Sequence, residues 1–132
     1  MLEKFPNDIK LVIKHFPLPS HKFARPASVA ALAAHRQGKF WEFHSKLFEN
    51  FRSLDEAKIE AIATELNLDM QQFAADRKSP EIKALIARDI QNGKAIGVRG
   101  TPTIFINGKR VKNRSMKNFQ QLIEMELQKA GQ

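Results

Sequence analysis

Few side chains in this sequence could carry chemistry, and the most reactive nucleophile is missing. There is no cysteine, so thiol catalysis, disulfides and thiolate metal sites are excluded within these residues. The four histidines, His15, His21, His35 and His44, lack a spacing such as His-x-x-x-His, so no metal site is expected. His44, next to Trp41 and Phe48, reads as a packed or capping residue. The acids Glu42, Glu49, Asp55 and Glu56 read as solvated helix faces and first-turn charges. No phosphate loop, Gly-x-Ser-x-Gly motif or dinucleotide fingerprint is present, and no cofactor is expected. Gly97–Gly108 reads GVRGTPTIFING, and Thr101-Pro102 within it is the leading candidate site. Pro102 cannot donate to a ladder and belongs at the first residue of a strand. An X-Pro bond is also where a cis peptide costs least. On its residues alone, the pair reads as a rigid turn that starts a buried strand.

The elements that must position this loop follow from local pattern. Thr103-Ile104-Phe105-Ile106 has strand preference, Asn107-Gly108 signals a tight hairpin turn, and Lys109–Lys112 supplies the return strand. Ile9–Phe16 is almost continuously apolar and β-rich, which predicts a buried strand, and Leu2–Phe5 could finish a helix before it. A helical block separates the two regions. Pro26 opens a helix that Gly38 stops. Phe40, Phe43, Leu47, Phe48 and Phe51 recur at helical spacing. Ser53 with Glu56 forms a capping box for a helix to Leu66, and Asp69 with Gln72 opens a shorter one to Arg77. Ser79-Pro80 starts a helix to Ile96, with Ile82, Leu85, Ile86, Ile90 and Ile96 on its buried side. Ser115 caps a final helix with Phe119, Leu122, Ile123 and Leu127 inward. Trp41 and its aromatic neighbours read chiefly as the seam between this block and the sheet, with a binding surface as the alternative.

The order of turn, proline, strand and hairpin resembles the cis-proline loop of thioredoxin folds, and its wording is similar to the DsbA-like thiol-disulfide oxidoreductases. Lys14-His15-Phe16-Pro17-Leu18 with His21, and Gln37–His44 with Leu47-Phe48, resemble the same family. The resemblance implies an incomplete thioredoxin-like α/β (α+β) fold of DsbA type. It would have a strand at 9–16, a helical insertion over about 24–96, a hairpin at 101–112 and a C-terminal helix at 115–130, all in one domain. The small mixed sheet would lack its first strand, and the family's Cys-x-x-Cys has no counterpart here. The resemblance further implies disulfide exchange on protein or peptide substrates, with Thr101 and Pro102 binding the substrate. Without cysteine the chain itself is expected to be redox-inactive.

The totals are those of one globular domain: 132 residues, 42% hydrophobic and 27% charged. No apolar run suggests a membrane span or a secretory leader, so the cytosol is expected for the sequence as written, or the cell envelope if a leader precedes it. The net charge of +8 admits nucleic acid as a partner. The cations are scattered, however, and those at Lys109–Arg114 also guard a sheet edge, so nucleic acid is disfavoured. An absent central strand would leave two strands without a neighbour, which predicts a homodimer through strand pairing. A peptide-holding module without catalysis is the alternative function.

Overall fold

The computed structural model describes residues 2–131. The chain divides into two compact units, one over Lys14–Arg99 and one joining Met1–Ile13 to Gly100–Gln132.

The Lys14–Arg99 unit is helical. It contains α1 (Ala24–His35), α2 (Phe40–Glu49), a 3-10 turn (Phe51–Ser53), α3 (Glu56–Glu65), α4 (Met70–Asp76) and α5 (Pro80–Ala95). Most boundaries follow the local signals. Gly38, with φ of +74°, closes α1, and Asn67, with φ of 58°, sits just past α3, both in the left-handed region that ends helices. The side chain of Asp69 accepts from Gln72 N at 3.0 Å, and that of Ser79 from Ile82 N at 3.5 Å. One cap differs from expectation. Asp55, not Ser53, caps α3, accepting from Lys58 N at 2.7 Å, because residues 51–53 are taken up by the 3-10 turn. That turn also ends α2 before Phe51.

The core of this unit is assembled from small and large residues in complement. Ala30, Ala31, Ala33 and Ala34 give α1 a buried face, and Phe43, Ile59, Ile62, Phe73 and Ile86 from the other four helices fill the space against it. The rings of Phe43 and Phe73 lie 5.8 Å apart, centre to centre. Burial of such side chains contributes about 1.5–3 kcal/mol each. Two polar ties hold the helix ends. Gln37 exchanges two hydrogen bonds with the backbone of Asp69, at 2.8 and 3.1 Å. Arg36 donates to Asp76 at 2.8 Å and to Ser79 Oγ at 3.0 Å.

The other unit holds β1 (Phe105–Ile106), β2 (Lys109–Arg110) and α6 (Met116–Ala130), with Ser115 as the N-cap of α6. The two strands are antiparallel, with Phe105 opposite Arg110 and Ile106 opposite Lys109. Asn107 and Gly108 turn between them with φ of 47° and 79°, as a type I′ turn requires. Val111 N donates to Ile104 O at 2.8 Å, one further rung. Val111 and Ile123 are the buried apolar side chains of this unit.

The β-structure is smaller than expected. Thr103 and Ile104 precede β1 rather than join it, and β2 stops at Arg110. Residues 2–8 form turns, not a helix end, and residues 9–17 carry no strand at all. The mixed sheet is therefore a two-stranded antiparallel one among the described residues. The physical reason is that a strand exists only with a ladder partner. Side chains fasten residues 14–16 instead. Asp89 of α5, only 5% exposed, accepts from His15 N at 3.0 Å and lies 3.6 Å from Lys14 Nζ. The Phe16 ring stands 3.0 Å from where a Cβ on Gly93 would be, so a side chain there would press the ring away from α5.

Candidate functional site

The loop at Gly100–Thr103 is built by hydrogen bonds on both sides of one residue. Thr103 Oγ1 donates to Gly100 O at 2.7 Å. Arg114 Nη1 donates to Pro102 O at 3.1 Å. The Thr101-Pro102 bond is cis, and both residues are exposed. The carbonyls flanking Thr101 are thus engaged, whereas its own N–H and C=O make no hydrogen bond to any described residue. The loop leads into β1, and the hairpin beyond it is fastened to α6 through Glu126. That carboxylate accepts from Lys109 at 2.9 Å and Asn107 at 3.3 Å, with Lys129 at 3.6 Å. The Lys109 and Asn107 contacts hold the Glu126 carboxyl below the usual range, and Glu126 in turn raises Lys109.

Sequence pattern places Arg114 in a basic run at a sheet edge rather than at this loop, and it does not single out Asp89. Asp89 had a signal: it shares one helical row with Ile82, Ile86 and Gly93, an acid on an apolar stripe.

The aromatic residues of α2 form a separate feature, within the helical unit. Phe43 is buried and Phe40 half-buried against the helical core, whereas Trp41 and Phe48, with Phe51 of the 3-10 turn, are 48%, 67% and 65% exposed. His44 lies between Trp41 and Phe48, with ring centres 5.7 and 4.8 Å away, packed as expected and capping nothing. Burial lowers its pKa. His15, whose ring is 6.2 Å from Phe40, is lowered chiefly by burial too; Asp89 opposes the shift and His44 adds to it. Ile96 is also exposed, at 62%, contrary to its expected place on the buried side of α5. No group of three metal-binding side chains occurs among the described residues. No helix there is long and apolar enough to cross a membrane.

A thioredoxin family profile matches residues 2–125. The chain belongs to the thioredoxin family. A solved thioredoxin-like oxidoreductase from Silicibacter pomeroyi superimposes with a TM-score of 0.72 at 28% identity, over 88% of this chain and 66% of that one. Among curated proteins, a Na(+)/H(+) antiporter NhaA of Herminiimonas arsenicoxydans is 34% identical over 82% of this chain. An NhaA 1 antiporter of Salinispora arenicola is 39% identical over 83% of it. The chain spans 17% of the length of each of these two relatives. Family and fold thus agree with the motifs, and the absence of cysteine leaves this thioredoxin domain without a Cys-x-x-Cys in these residues.

Proposed function

We propose that this thioredoxin domain is DsbA-like and holds extended protein substrates for thiol-disulfide exchange, with Thr101 and Pro102 as the substrate-binding residues. The observation that carries the proposal is the unengaged backbone of Thr101 between two engaged carbonyls. A free N–H and C=O on one exposed residue are matched by another polypeptide in extended conformation. Pro102 has no N–H, so pairing stops there and the register of the substrate is set. Exchange itself needs a thiolate, and none of these residues supplies one. The chain alone is therefore a holder and not a redox catalyst.

Two measurements test this. Insulin reduction by dithiothreitol is expected to proceed at the uncatalysed rate; acceleration by the pure chain would refute inertness. Binding of extended peptides is expected to weaken about fivefold in Thr101→Pro, which deletes one donor, and to persist in Thr101→Ala, which keeps it. Equal binding by both variants removes the loop from the proposal. The reading includes a homodimer through strand pairing, motivated by residues 9–17, which pair with no strand among the described residues. Light scattering is expected to give twice the chain mass, and a compact monomer at micromolar concentration rejects it.

A further inference from the structure

We propose that the polypeptides held at the Thr101–Pro102 loop are acidic. The inference rests on the reading that this loop binds extended substrate, and adds the chemistry of what it selects. Lys109, Arg110, Lys112, Arg114 and Lys117 fall within nine consecutive residues that contain no acid. Their environments separate them. Lys109 is held by Glu126 at 2.9 Å, and Arg114 reaches the loop itself through Pro102 O. Arg110, Lys112 and Lys117 are exposed and form no ion pair with any described residue. Arg114 thus ties the loop to a run of uncommitted positive charge.

A substrate backbone paired at Thr101 would meet Arg114 beside Pro102, and with it the run that carries the free charges. At about 0.1 M salt, charges act over about 10 Å, so acidic side chains near the paired residue would feel it. Exposed charges of this kind set selectivity and association rate more than bulk affinity. The phosphodiester backbone of a nucleic acid would satisfy the charge but carries acceptors only, whereas an extended polypeptide presents an N–H and a C=O on its own backbone to match both Thr101 groups. An acidic polypeptide matches the charge as well.

The test is fluorescence anisotropy with labelled extended peptides that are acidic, neutral or basic but otherwise alike, together with a single-stranded DNA of matching charge. The acidic peptide is expected to bind about tenfold tighter than the neutral one at low salt, and to lose most of that margin at high salt. The exposed triple variant Arg110→Gln, Lys112→Gln, Lys117→Gln, checked for fold by circular dichroism, should bring the acidic peptide to the neutral level and leave the neutral one unchanged. Thr101→Pro should weaken all peptides together. Equal affinity for the three peptides, still sensitive to Thr101→Pro, overturns the inference and leaves the loop as a peptide site. DNA binding tighter than the acidic peptide and indifferent to Thr101→Pro assigns the charges to nucleic acid and overturns it as well. Failure of every peptide to bind removes the loop reading and the inference together.

Discussion

Two half-buried histidines give the helical unit a pH dependence whose sign is fixed by their surroundings. Burial disfavours the charged imidazole of His44 and, as the leading cause, of His15. The folded state therefore takes up its protons at lower pH than the unfolded chain, where histidine titrates near 6.5. Wherever the unfolded state binds more protons, stability rises with pH. Stability should thus be full above about pH 6.5 and decline as pH falls below it, through the depressed folded values. The other groups around His15 are Asp89, Lys14 and the Phe40 ring, and the Asp89 charge only partly offsets burial. Urea unfolding between about pH 7.5 and 5.5 reads this above the carboxylate range. His44→Gln should make the dependence shallower. A flat profile, or greater stability at the acid end, contradicts the account.

Helix ends show which parts of this fold can be read from sequence and which cannot. Asp69 with Gln72, Ser79 with Pro80, and Ser115 are local signals, and each starts the helix it marks. Ser53 carried the same signal and does not, because Asp55 two residues later lies beyond the 3-10 turn and reaches Lys58 N. The consequence is a sharp contrast. Asp55→Ala should cost about 1 kcal/mol in chemical denaturation, while Ser53→Ala should stay within about 0.5 kcal/mol. Equal costs would return the cap to Ser53. Ile9–Phe16 failed for a different reason. Strand preference describes a side chain that suits a sheet, but the ladder partner lies elsewhere in sequence and no local pattern encodes it. Helix α5 supplied anchors in its place, through Asp89 and Gly93. The loop at Thr101-Pro102 was legible because glycine, proline and the Asn-Gly turn constrain backbone directly. Its contact with Arg114, twelve residues on, was not, since an arginine after a hairpin has no signature that distinguishes it from a solvated one.

Across the whole molecule, buried apolar mass is concentrated in one unit. Phe43, Phe73, Ile59, Ile62 and Ile86, the largest fully buried side chains, all belong to Lys14–Arg99. The other unit buries Val111 and Ile123, and its strands are two residues long. Local opening free energy follows buried apolar contact and the shielding of backbone hydrogen bonds. Two-residue strands with an exposed turn shield little. Native-state hydrogen exchange should therefore rank the amides of α3 and of the middle of α5 slowest. The hairpin rungs, Val111 N to Ile104 O included, should exchange at least about tenfold faster. α6 is expected between the two, since Ile123 is buried while Phe119, Leu122 and Leu127 are half-buried. Uniform protection across the hairpin and α3 would mean that the hairpin opens only with the helical core.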